Sequence, residues 1–482
     1  MSSSKQIFTH SSIYAIGNIS RQLISFVMLP IYTNYLTPED YGAVALLIFL
    51  VSLIEIIFGG QLFQAVPKYY HQSKTTDEKR AVVSTALLLT TFFSSFAFII
   101  IAVFREPTST FLFGTNNYSI YVGLFSSLIL LHAFEQYGLT FIRILKKPWL
   151  FLWLSMAKLV TQLSLNILLI VYFDLGLLGI VTSSIISSIL ISAVLVGFII
   201  RKCGFDFNQK IGKTMIKFSW PLWLSGLIGL YIGSSNRYFL RIFSDLTEVG
   251  LFELAVKFSA IISSLIWLPF SQYWQTERFQ IAKTDAAYTT YNNVFKSVSV
   301  LLFSSAIGIA LFTPIVIEFM SSELFHPAAK AVPYLALAAV FGSLTIFHNF
   351  SFIQNENTIE ITKNNTFAAI ILTFSMFIFV PTYGFVGAAI GAMITSILHF
   401  VATAYRSRFY YDLKLKYNFL SIALAGYWAT ILLSDYFTPT SILHSLLVNA
   451  VLFVVSSGIF AFSILSRSNK SFIANKIRGI LG

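Results

Sequence analysis

The sequence of 482 residues is 56% apolar and only 11% charged. A soluble domain carries about 25% charged residues, so this composition excludes a cytosolic enzyme, a disordered chain and a nucleic-acid-binding domain, despite a formal net charge of +12. One cysteine, Cys203, and scattered histidines exclude a disulfide framework and a thiolate metal cluster.

What remains is an all-α polytopic membrane protein. A polar start, Met1 to Ser12, runs into an apolar stretch that holds Arg21 and Pro30. That stretch is too long for a signal-peptide core and is read as a retained first span. Windows of about 20 apolar residues predict about fourteen transmembrane helices. In chain order they cover 11–36, 39–66, 80–104, 119–143, 150–172, 176–200, 214–243, 248–275, 292–320, 330–353, 362–381, 384–406, 417–436 and 442–465. The connections are short, and the segments are too long for barrel strands.

The basic residues set the orientation. The N-terminal tail, the even-numbered loops and the C-terminal tail hold runs such as Arg143, Lys146 and Lys147, or Arg406, Arg408, Lys414 and Lys416. The odd-numbered side holds only Arg105, Arg237, Arg241 and Lys330. Both termini are therefore expected in the cytoplasm.

An internal repeat appears at an offset of 208. It lays Tyr35 to Leu46 (YLTPEDYGAVAL) over Phe243 to Leu254 (FSDLTEVGLFEL), and Gly176 to Leu190 over Gly384 to Leu398. Six spans per repeat give both halves the same orientation, so the repeats are parallel. The expected division is 1–208 and 209–416 as two six-helix lobes, with 417–482 an added helix pair and basic tail.

Ionisable groups inside spans cost about 2.5–3.5 kcal/mol each and are functional candidates. The first span carries a polar stripe that includes Asn18, Arg21 and Tyr32. The second has Glu55, the fourth His132, Glu135 and Gln136, and the fifth Lys158, Gln162 and Asn166. The seventh aligns Gly226, Gly229, Gly233, Arg237 and Arg241, and the eighth carries Glu253 and Lys257. Arg21 and Lys257 lie nine or ten residues into their spans, about 15 Å deep. Structural readings compete with these. Glu253 and Lys257 have the spacing of a same-helix ion pair. Glu135 and Lys158 suit a pair between neighbouring helices, and the glycines suit close helix packing. Gly212-Lys213-Thr214 resembles the end of a phosphate loop but lacks its first glycine, since that position is Phe207. No ATPase motor is encoded. Two parallel lobes, buried cations and no motor describe a secondary transporter.

YLTPEDYG after the first span, LTEVGLFELAVKFSA at the eighth, and the GxxG openings of the sixth and twelfth spans resemble a known family. It is the polysaccharide-biosynthesis branch of the multidrug/oligosaccharidyl-lipid/polysaccharide (MOP) flippase superfamily. Fourteen spans and the length match its O-antigen repeat-unit flippases. The resemblance implies an oligosaccharide repeat unit on undecaprenyl diphosphate, moved from the cytoplasmic to the periplasmic leaflet of the bacterial inner membrane. Partners would be membrane lipids, a polysaccharide polymerase and a chain-length regulator, with no cofactor, no metal and no nucleic acid. Each hydroxyl carried unpaired into hydrocarbon costs about 4–8 kcal/mol, so such a head group needs a protein. In that fold the first, second, seventh and eighth spans line the cavity. This favours Arg21, Glu55, Arg237, Glu253 and Lys257. With Asn18 on the first span and the buried cation Lys158 on the fifth, Arg21, Arg237 and Lys257 are the substrate-contact candidates. Glu55, Glu253 and Glu135 become candidates for ion coupling. A multidrug or cation exporter of the same superfamily is the alternative. A peptidoglycan-precursor flippase is a third reading.

Overall fold

A computed structural model describes residues 26–59, 61–437 and 441–464. Asn18 and Arg21 lie outside the described residues. Among the described residues the regular structure is helical throughout. The chain runs α1 (Leu29–Tyr35), α2 (Pro38–Gly59), α3 (Leu62–Gln72), α4 (Thr76–Val103), α5 (Arg105–Phe113) and α6 (Ser119–Ile144). Then come α7 (Pro148–Asn166), which passes into a π-turn over Ile167–Tyr172, α8 (Gly176–Cys203), α9 (Gln209–Ser234) and α10 (Asn236–Phe243). Next are α11 (Leu246–Ile261), with a π-turn over Ile262–Trp267, α12 (Leu268–Ile281) and α13 (Ala287–Met320). A 3₁₀ segment, Glu323–Ala331, leads to α14 (Val332–Gln354), α15 (Ile359–Ser407), α16 (Asn418–Tyr436) and α17 (Ile442–Ile464).

Eleven of the described helical segments are long and apolar enough to cross a membrane. One of them, α15, has 49 residues. A continuous helix of that length would be about 74 Å long, more than twice a bilayer core of about 30 Å. It bends at Gly384, where φ is 53° and ψ −132°, three residues after Pro381, and so divides into two crossings. The expected first span lies mostly outside the described residues.

Two expected spans are not continuous helices. The second ends at Gly59 and restarts at Leu62, with Gln61 left-handed at φ 56°. The seventh breaks at Ser235, between α9 and α10. Glycine and serine are weak helix formers, and a hydropathy window averages over such interruptions.

The repeated motif is a helix start. Thr37 Oγ1 accepts from the Asp40 amide at 3.1 Å, and Asp40 Oδ2 accepts from the Thr37 amide at 3.1 Å. The two side chains cap α2 reciprocally. At the offset of 208 Thr37 becomes Asp245, whose Oδ1 accepts from the Glu248 amide at 2.8 Å and caps α11. The motif's glycines let these two helices cross closely. A Cβ on Gly42 would fall 2.0 Å from the Leu246 carbonyl oxygen, and one on Gly250 1.9 Å from that of Pro38. Gly176 and Gly384, also offset by 208, share left-handed φ values of 48° and 53°.

The chain forms two compact units, residues 1–250 and 251–482. In the first, α3, α4, α6, α8 and α9 enclose a core of Leu62, Val66, Val83, Tyr137, Phe141, Ile199 and Met215. The second is built on aromatic residues, including Trp274, Tyr291, Phe295, Phe303, Phe347, Phe400 and Phe460. α16 and α17 belong to this core: Tyr427 Oη donates to the Pro333 carbonyl at 2.8 Å, and Asn449 Nδ2 to that of Leu311 at 2.8 Å.

Gly42→Val should open the α2–α11 crossing and cost about 1–3 kcal/mol, as overpacking does. Gly197→Ala, in α8 with nothing within 4 Å of its Cβ position, should be neutral or stabilising by up to about 1 kcal/mol. Thermal unfolding of the two variants in detergent separates these outcomes.

Candidate functional site

The interruption between α2 and α3 organises a polar cavity in the first unit. A helix end leaves its last four carbonyls without intrahelical partners. One of them, on Ile57, accepts the indole N–H of Trp223 from α9 at 3.1 Å. Gly226, one turn further along α9, lets Gln61 come close: a Cβ there would lie 3.1 Å from Gln61 Nε2. Gln61 in turn accepts from Gln64 Nε2 at 2.6 Å.

On the other side of the break lies a cavity of about 240 Å³. Its polar lining comes from Ser52 and Glu55 on α2, Gln61 at the break, Thr90 and Ser94 on α4, and Gln136 on α6. Glu55 Oε1 sits 3.0 Å from His132 Nδ1, both half-buried. The cavity is therefore lined by a carboxylate, which an imidazole contacts, and by several neutral polar groups. It has room for water or a small ion. Sites for drug-sized ligands run to about 300–1,000 Å³, so an oligosaccharide does not fit.

Glu135 and Lys158 do not line this cavity. Lys158 Nζ donates to Glu135 Oε2 at 2.5 Å between α6 and α7, with the side chains 24% and 10% exposed. The neighbour-pair reading of the sequence is the geometry found. Glu135 Oε1 is buried without a hydrogen-bond partner among the described residues.

Further along α7, Asn166 is buried at the start of the π-turn. It donates to Tyr32 Oη at 2.6 Å and accepts from Ser183 Oγ. This network ties the end of the first span to α7 and α8.

Arg237, half-buried on α10, donates to the Gly233 carbonyl at 3.1 Å. The Arg241 guanidinium lies against Gly114, the left-handed residue that ends α5. A cation there faces the negative end of a helix dipole. Glu253 and Lys257 are half-buried on α11 in the second unit. Among the described residues no cluster of His, Cys, Asp or Glu has the makings of a metal site.

The sequence pattern of the family described as "Polysaccharide biosynthesis protein" matches residues 8–274, more than half of the chain. The chain belongs to that family. No curated protein matches the sequence at a significant level. Its fold is that of solved flippases and exporters. It is similar to "Lipid II flippase MurJ, inward closed conformation", with a TM-score of 0.76 and 15% identity over 94% of this chain and 99% of the other. It is also similar to an inward-facing multidrug resistance MATE family transporter of the MOP superfamily, with a TM-score of 0.64, 16% identity and coverage of 82% and 98%. A superfamily transporter from Pyrococcus furiosus gives 0.52 and 16%, with coverage of 83% and 95%. The chain is thus a polysaccharide biosynthesis family member with many membrane-spanning helices, folded like solved transporters of the MOP superfamily.

Two polar groups of this family member escaped the sequence reading. Glu360, placed in a loop by hydropathy, is 3% exposed. It is held by Lys363 Nζ at 2.6 Å and by Arg406, which also donates to Asn364 Oδ1 at 2.8 Å. His348 is fully buried among aromatic rings. The run of Glu360, Lys363 and Asn364 at helical spacing was a usable signal for the first. A lone histidine in an apolar span gave none for the second.

Lys158→Met leaves the Glu135 carboxylate buried and unpaired and should cost about 3–5 kcal/mol. The double variant Glu135→Leu/Lys158→Met should regain most of that loss, as read by thermal unfolding. If the double variant transports as well as the wild type, the pair is structural.

Proposed function

We propose that the protein flips undecaprenyl-diphosphate-linked oligosaccharide repeat units of O-antigen or a related surface polysaccharide. Movement is from the cytoplasmic to the periplasmic leaflet of the bacterial inner membrane, with both termini cytoplasmic. The observation that carries this reading is a polysaccharide-biosynthesis family match on a chain whose fold resembles a lipid-linked-precursor flippase. The two repeat-related lobes, 1–208 and 209–416, would rock to give alternating access, and the pair from 417 onward would be an added element. A polymerase and a chain-length regulator would act on the delivered product.

Within this reading the small polar cavity is a coupling site and not the glycan site. Glu55 beside His132 is the coupling carboxylate, because Glu135 is committed to Lys158. Arg237 and Lys257, together with Arg21 and Asn18, remain the candidates for contacts with the diphosphate and glycan. The MATE-like structures favour a second reading, a cation-coupled exporter, for which an acidic group in the first unit would serve equally well.

Deleting the gene should cause completed lipid-linked repeat units to accumulate in the cytoplasmic leaflet, with loss of surface polysaccharide. Complementation with Glu55→Gln or Arg21→Ala should fail at normal protein levels, cutting surface polymer at least about tenfold. Normal lipid-linked pools in the deletion strain, with increased sensitivity to cationic drugs, would overturn the flippase reading in favour of the exporter.

A further inference from the structure

A groove in the second unit plays no part in the reading above. It lies between α14, the second half of α15 and α16, and has a volume of about 410 Å³. Ile397, Val401, Leu420 and Leu424 make its walls apolar, and Arg408 and Tyr417 close one end. From Ile397 to Arg408 the groove follows eleven residues of helix, about 16 Å. Half of a bilayer core is about 15 Å. The groove therefore has the length of one leaflet's acyl layer, with a cation at head-group depth. Val401 is 54% exposed and Tyr405 61%, so the groove is open along its side.

The charged end is built. Arg408 makes no ion pair among the described residues. Its neighbour Arg406 is committed to Glu360 and Asn364. The Arg408 guanidinium lies 5.4 Å from the centre of the Tyr417 ring. Tyr417 is fixed from beneath by buried His348. Nδ1 of His348 lies 2.9 Å from the Leu344 carbonyl and donates to it, leaving Nε2 to accept from Tyr417 Oη at 2.9 Å. At the repeat offset of 208, Arg408 falls on Ile200, Tyr417 on Gln209 and His348 on Thr140. The arrangement is therefore specific to the half of the chain that carries α16 and α17.

We propose that this groove holds an anionic membrane phospholipid, with one acyl chain along α15 and the phosphate on Arg408. Charge complementarity selects this occupant. An apolar trench with a neutral rim would take any chain, whereas an exposed guanidinium without a carboxylate partner selects a phosphate that lacks a compensating cation. The bound lipid would pin α16 against α14 and α15.

The test uses the full-length protein in a neutral detergent, read by native mass spectrometry and thermal unfolding. The probes are phosphatidylglycerol, phosphatidylcholine, soluble glycerol phosphate and a polyprenyl phosphate. Phosphatidylglycerol should bind one to one and raise the unfolding temperature, while phosphatidylcholine and glycerol phosphate should do neither. Arg408→Gln should weaken phosphatidylglycerol about tenfold or more, the scale of one charge-assisted contact, and Arg408→Lys should recover part of it. Val401→Trp should block binding with Arg408 intact, which keeps the test open if the Gln variant folds poorly. Equal binding of phosphatidylcholine, or full binding in both Arg408→Gln and Val401→Trp, would overturn the proposal. Binding of glycerol phosphate alone would make the site a free-anion site. Displacement of phosphatidylglycerol by the polyprenyl phosphate at lower concentration would assign the groove to the transported lipid instead. None of these results depends on whether the chain flips glycans.

Discussion

A backbone carbonyl inside a bilayer has no water to accept from, so a membrane helix can stop only where something else supplies the hydrogen bond. This constraint decides where the protein can hold polar chemistry. The second span stops at Gly59, and Trp223 reaches over from α9 to the Ile57 carbonyl. That one interaction allows the helix to break, and the break makes room for Glu55, Gln61 and Gln136 around a common space. At the π-turn after α7, Asn166 binds both Tyr32 and Ser183. Both of these departures from a regular helix are paired with a side chain that would otherwise be hard to justify in an apolar setting.

The two halves of the repeat share this scaffold but not its polar contents. Thr37 and Asp245 both cap helices, and Gly176 and Gly384 both turn left-handed. At the same offset, however, Glu55 becomes Ser263, His132 becomes Val340, Glu135 becomes Ser343 and Lys158 becomes Thr366. In the other direction Glu360 becomes Leu152 and Arg406 becomes Phe198. Duplicated framework residues answer to backbone geometry, which both halves must satisfy. Charges buried in one half only answer to something the other half does not do. This separates the scaffold from the candidate chemistry without reference to any relative.

Much of this was legible in the sequence. Hydropathy located most of the helices, and the offset of 208 paired the two segments in which the caps and the close crossing at Gly42 and Gly250 are found. The spacing of Glu135 and Lys158 on adjacent spans anticipated their pairing. The break in the second span was not legible, because Ile56 to Val66 averages as apolar whether or not Gly59 ends a helix. Glu360 was also lost: a carboxylate next to a loop looks solvated until its two cations are seen to come from turns 3 and 46 residues away. His348 had no pattern at all, since its partners Leu344 and Tyr417 are a backbone oxygen and a residue beyond the next two crossings.

The size of the polar cavity bears on how work would be divided within the molecule. At about 240 Å³ it is below the range for even a drug-sized ligand, yet one of its lining groups is the Glu55 carboxylate, which contacts the His132 ring. Glu55 meets the His132 ring at 3.0 Å with both side chains partly exposed. Glu135 is instead paired with a lysine, and removing either partner would strand the other charge. The first arrangement suits a group that must bind and release during a cycle, and the second suits a fixed strut. One partner of each pair, His132 and Glu135, lies on α6, three residues apart along the chain. The partly exposed Glu55–His132 contact thus sits one turn of α6 from a buried ion pair.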